Sequence, residues 1–154
     1  MKTNGSKPAF SLVELIIVVI FLGIFAAIAV PRINFAIITK QKSDTVARKI
    51  VTDLRRTRTM AISDAANNTE GFALNMTGTS PYSGYEIENL DTVAVVDSHT
   101  IPSGISCDGG DEFKFGPLGN LLSGSDTEIT VSAEDRSFTI TIISATGMVK
   151  CVEN

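Results

Sequence analysis

Residues 10–30 read FSLVELIIVVIFLGIFAAIAV, and Glu14 is the sole charged side chain among them. As a helix rising about 1.5 Å per residue, the stretch would run roughly 31 Å, the thickness of a bilayer's hydrocarbon core. Composition therefore predicts a membrane-spanning helix. Its carboxylate is the informative residue: an acid one turn inside such a segment costs about 2.5–3.5 kcal/mol on insertion scales and so faces a partner instead of lipid. An unprocessed anchor whose Glu14 snorkels to the membrane edge is the plain alternative.

The flanks narrow that choice. Residues 1–9, MKTNGSKPA, are short and polar, with Lys2 and Lys7, and apolar sequence begins abruptly at Phe10. An ordinary secretory signal has an apolar core of about 7–15 residues and is cut after it. Here Ala26, Ala27 and Ala29 end the run, but the run is longer than that and continues into a helical pattern. Lys2 and Lys7 before the segment are balanced by Arg32, Lys40 and Lys42 after it, so charge bias alone leaves the orientation open.

Phe10-Ser11-Leu12-Val13-Glu14-Leu15, followed by the apolar run and Pro31, resembles the type IV prepilin signature. The resemblance implies a peptidase cut between Ala9 and Phe10 and methylation of the new amino group on Phe10. Ala9 stands where that family usually carries Gly, the smallest possible departure. It further implies that Glu14 serves assembly, its carboxylate neutralised by the Phe10 ammonium of a neighbouring subunit. Removing one partner of such a buried pair costs about 3–5 kcal/mol. By the same resemblance the chain would cross the inner membrane once, with its distal domain periplasmic, before entering a pilus or pseudopilus.

The hydrophobic period organises the chain beyond Pro31. Val46, Ala47, Ile50, Val51, Leu54, Ala61, Ile62 and Ala65 recur at three- and four-residue spacing with Arg48, Lys49, Asp53, Arg55, Arg56 and Thr59 between them. No Gly lies between Gly23 and Gly71, and Asn67-Asn68 is a natural end, so one helix of about fifty-five residues is expected. Gly23 and Pro31 are its expected bends, because proline removes a backbone donor and crowds the preceding turn.

Beyond residue 70 the period changes to two, in Gly71 to Met76, Tyr85 to Glu88, Thr92 to Val96, Glu112 to Phe115, Glu128 to Val131, Ser137 to Ile142 and Met148 to Cys151. Short turns make the last three an expected antiparallel meander. The predicted fold class is α+β: a long N-terminal helix, membrane-spanning in its first half, packed against an antiparallel β-sheet head. The corresponding domains are a cleaved leader at 1–9, a transmembrane and assembly helix at 10–30, its amphipathic continuation at 31–68, and a β-rich head at 69–154.

Charge divides along the same line. Residues 32–63 hold eight Lys or Arg against Asp44 and Asp53, for +6, while residues 64–154 hold Lys114, Arg136 and Lys150 against fourteen acids, for −11. Both regions read as solvated faces, or as opposite surfaces by which subunits pack. Cys107 and Cys151 are the two cysteines and show no CxxC or His-bearing metal pattern. They are expected to pair, closing a 45-residue loop worth about 4 kcal/mol in the chain-entropy model. Two buried free thiols are the alternative.

Asp53 to Ile62, DLRRTRTMAI, with Phe115-Gly116-Pro117-Leu118-Gly119 and the Gly147-Met148-Val149 hairpin, resembles the H-type minor pseudopilins of type II secretion and the related FimT pilins. That resemblance implies a minor subunit of a secretion pseudopilus or type IV pilus. Its partners would be other pilin or pseudopilin subunits, the prepilin peptidase and an inner-membrane assembly platform. A major pilin and a FimT-like DNA-uptake pilin are the alternatives. Nonspecific DNA binding needs accessible Lys and Arg, and an acidic head with three basic residues argues against nucleic acid as a partner.

Catalysis is not expected. No phosphate-cradling Gly loop, Ser/His/Asp set or paired-carboxylate arrangement stands out, and His99 reads as an isolated surface residue. Residues 107–112, CDGGDE, are acidic and Gly-rich but do not match a twelve-residue calcium loop with a closing Glu. No metal or cofactor is expected.

Overall fold

A computed structural model describes residues 11–29 and 35–154, the side chains of residues 28, 29 and 35–40 excepted. Two helices come first, α1 (Leu12–Ala29) and α2 (Phe35–Ser63). Eight strands follow: β1 (Phe72–Thr77), β2 (Gly84–Asn89), β3 (Ala94–Thr100), β4 (Ser106–Gly109), β5 (Glu112–Phe115), β6 (Glu128–Ala133), β7 (Arg136–Ile143) and β8 (Met148–Glu153). The chain divides into two compact units, Met1–Phe35 and Ala36–Asn154.

The expected fold is corrected on two counts. Among the described residues two helices, of 18 and 29 residues, stand where one long helix packed against a sheet head was predicted. The strands form two sheets instead of one head sheet, ordered β3-β2-β1-β5 and β4-β6-β7-β8, with every pairing antiparallel. Pro31, the expected bend, lies outside the described residues.

The membrane placement is corrected as well. No helix among the described residues is long and apolar enough to cross a membrane, which overturns the single inner-membrane pass with a periplasmic distal domain. Over the described residues α1 rises about 27 Å, against a hydrocarbon core of about 30 Å.

Within the larger unit, α2 forms because its apolar residues fall on one face. Ala47, Ile50, Val51, Leu54 and Ala61 are buried, and they share one apolar cluster with Phe72 and Leu74 of β1, Phe113 and Phe115 of β5, and Ile129, Val131, Phe138, Ile140 and Ile142 of β6 and β7. The stripe also contains Thr57, fully buried, whose hydroxyl donates to the Asp53 carbonyl one turn back at 2.7 Å. That bond satisfies the hydroxyl where no water reaches it. The helix stops at Ser63, five residues before the expected Asn68.

Asn68 instead organises the entry to the sheets. Its carboxamide accepts from the Gly71 N–H at 2.7 Å and donates to the Gly71 carbonyl at 2.8 Å and to Asn89 Oδ1 at 3.0 Å. Gly71 has φ +88°, and a Cβ there would lie 2.0 Å from the Phe115 carbonyl oxygen. Only glycine permits both the backbone and that approach.

Alternation then builds the strands. In β6 and β7 every second residue is buried, so Ile129, Val131, Phe138, Ile140 and Ile142 line one face of their sheet. β6, β7 and β8 form the expected antiparallel meander, pairing Ile129 with Ile140 and Ile140 with Cys151. β4 extends this sheet on its far side and was not expected: Ser-Cys-Asp-Gly carries no two-residue apolar period.

Candidate functional site

The smaller unit holds the most unusual surface. All twelve large apolar side chains from Leu12 to Phe25 are 48–74% exposed. Ser11 caps the helix, its hydroxyl accepting from the Val13 N–H at 3.3 Å. Glu14 lies in the first turn and is exposed. A carboxylate there is favoured by the positive end of the helix dipole. Gly23 sits inside the uninterrupted helix, with nothing within 4 Å of where its Cβ would be. Ala9 and Phe10, the expected cleavage and methylation positions, lie outside the described residues.

A second cluster lies between α2 and the β3 end of the first sheet. Asp53, 5% exposed, accepts from the Tyr85 hydroxyl at 2.6 Å and has Lys49 Nζ at 3.4 Å and His99 Nε2 at 3.5 Å. His99 Nε2 also lies 3.5 Å from Asp97, which takes a 2.6 Å ion pair from Arg56. The Tyr85 and His99 rings meet edge to face with centroids 5.2 Å apart. Burial pushes the Tyr85 phenol far up, and the Asp53 carboxylate beside it acts in the same direction, so it stays a donor. The Arg56 hydrogen bond holds Asp97 below its ordinary value.

These groups fasten helix to sheet. His99 is thus not the isolated surface residue expected. The available signal was Asp53 itself, an acid set beside the apolar stripe of α2, because a carboxylate that close to a core must find donors.

The expected disulfide is also corrected: Cys107 and Cys151 are both free, the first buried and the second exposed. Cys107 is on β4 and Cys151 on β8, the two outer strands of one four-stranded sheet. Three strand spacings of about 4.8 Å separate them, whereas a disulfide needs Cα atoms within about 7 Å. Burial pushes the Cys107 thiol up to about 12.

In the acidic segment 107–112, the Asp108 carboxylate and the Asp111 and Glu112 N–H groups bond within the chain. Asp108 accepts from the Ser80 and Ser106 hydroxyls, which hold it below its ordinary value. Asp126 accepts the Asp111 and Glu112 N–H groups at 2.8 and 3.3 Å. Among the described residues no group of three or more His, Cys, Asp or Glu is placed to hold a metal ion.

The Arg58 to Ile62 and Phe115 to Gly119 segments, which carry the H-type resemblance, do meet. Arg58 Nε donates to the Gly119 carbonyl at 2.9 Å. Gly147 packs on the same carbonyl with φ +62°, so close that a Cβ would stand 1.9 Å from the oxygen. One arginine thereby ties the end of α2 to both loops. No family model, curated protein or solved structure matches this chain.

Proposed function

We propose that the protein is a minor pilin-type subunit, of the H-type pseudopilin kind, that polymerises through α1. The observation that carries this reading is the all-round exposure of twelve large apolar side chains on α1 beside a lone carboxylate, Glu14. Fully burying a side chain of this kind contributes about 1.5–3 kcal/mol, so a helix with no buried face of its own is driven to find cover. Packing of like helices from neighbouring subunits supplies it.

Inside such a bundle Glu14 needs a counter-ion. Cleavage between Ala9 and Phe10 by a prepilin peptidase would create one, an ammonium on Phe10 of the adjoining copy, and that pair would set the axial register. Other pilin-type subunits and an assembly platform are the partners this reading requires. The remaining unit, residues 36–154, would then be the part each subunit contributes to the filament's outer character.

The test is Glu14→Ala in the native filament system. Incorporation of the variant should fall at least about a hundredfold, the scale of losing one partner of a buried pair, while the circular dichroism of the distal unit stays that of the parent. Incorporation equal to the parent's refutes the role.

A further inference from the structure

The two outer edges of the β4-β6-β7-β8 sheet are treated differently. At β4 the chain covers its own edge: the Tyr82 N–H donates to the Cys107 carbonyl at 2.9 Å and the Tyr82 hydroxyl to the Gly109 carbonyl at 2.8 Å. At β8 it does not. Asn154 N–H donates to Ser137, so antiparallel alternation turns the N–H and C=O groups of Val149, Cys151 and Glu153 away from β7. The Val149 carbonyl takes one bond from Arg55 at 3.1 Å. Among the described residues, nothing bonds the outward main-chain groups of Cys151 or Glu153.

That open edge borders a groove of about 620 Å³ between β8 and α2. Val51 and Phe138 form its apolar floor, and Arg48, Arg55 and Arg136 stand around it. The two carboxylates present are already committed, Asp44 to Arg48 at 2.9 Å and Glu153 to Arg136 at 2.6 Å. Among the described residues Arg55 has only a carbonyl partner, leaving most of its five N–H donors for an incoming acid. The lining therefore carries an excess positive charge beside an apolar floor and a row of unused backbone groups.

We propose that this groove docks an extended, acidic-and-apolar polypeptide segment from a partner protein, added as a further strand on β8. Main-chain bonds to Cys151 and Glu153 would hold the segment, alternate side chains would fall on Val51 and Phe138, and a carboxylate would engage Arg55. The inference is independent of the filament reading, since it uses no part of α1.

Cys151 lines the groove and supplies the reporter, because Cys107 is buried. The full-length chain, kept monomeric in detergent, is treated with a maleimide in the presence of an end-blocked hexapeptide alternating glutamate and valine. Modification of Cys151 should slow at least about tenfold at saturating peptide, and Arg55→Gln should weaken binding about tenfold, the scale of one charge-assisted hydrogen bond. The lysine–valine counterpart should give no protection. Equal protection by both peptides, or none by either, overturns the proposal. So does protection that rises with protein concentration alone, which would make a second copy the occupant.

Discussion

α1 carries twelve large apolar side chains at 48–74% exposure and a single acid, whereas α2 buries Ala47, Ile50, Val51, Leu54 and Ala61 on one face and turns Arg48, Lys49, Arg55 and Arg56 outward. Both are helices by local preference, yet the second is amphipathic and the first is apolar all round. An amphipathic helix can be satisfied by the sheets of its own chain. A helix without a polar face has no side to give to water, so its burial depends on something other than the unit it belongs to. The contrast separates a segment that stabilises the larger unit from one whose apolar side chains stay exposed among the described residues.

Truncation at matched positions gives the largest test. Leu54→Ala should cost about 2–5 kcal/mol of unfolding free energy, through lost burial plus a cavity, while Leu22→Ala should stay within about 0.5 kcal/mol. Urea denaturation of the two variants measures both, and a comparable loss from Leu22→Ala would break the distinction.

Charged residues extend the same comparison at smaller scale. Tyr85→Phe leaves the buried Asp53 without its shortest hydrogen bond and should cost about 1.5–3 kcal/mol. Glu14→Gln, on the exposed helix, should leave the same unfolding transition unmoved. If Tyr85→Phe is silent, Asp53 is held by Lys49 and His99 alone.

Acid should then produce the smallest effect. Asp97 and Asp108 lie below their ordinary value of 3.8 in the folded chain, held there by Arg56 and by the Ser106 and Ser80 hydroxyls. A carboxylate depressed on folding stabilises above its unfolded value, and that contribution is lost as pH falls through the folded one. Unfolding midpoints should therefore drop below about pH 4, and Arg56→Gln should remove the Asp97 share of that slope. An unchanged acid slope in the variant would show that the Arg56–Asp97 pair does not couple to folding.

Sequence patterns differed in how well they foreshadowed these features. Strict alternation, as in Ser-Phe-Thr-Ile-Thr-Ile of β7, marks a strand because each second side chain meets the core. β4 was silent because Ser106-Cys107-Asp108-Gly109 places one apolar residue among polar ones, and its pairing with β6 is made by backbone groups that every sequence possesses. The absence of glycine between Gly23 and Gly71 suggested one continuous helix, yet the structure has two.

The cysteines and His99 teach a related limit. A spacing of two cysteines in a chain says nothing of which sheet edge each occupies, and here strand order alone keeps them apart. His99 is distant from Asp53 in sequence, so their meeting follows from how β3 lies along α2.

By itself the sequence determined the apolar character of α1 with its lone Glu14, the buried stripe of α2 and the alternating strands of the distal unit, since each is a local period read on one element. Tertiary structure alone decided the division into two sheets, the separation of the thiols, the Asp53–Tyr85–His99–Asp97 cluster and the open β8 edge. Those depend on which elements become neighbours, and strand order is a global solution to burying many faces at once that no single segment encodes.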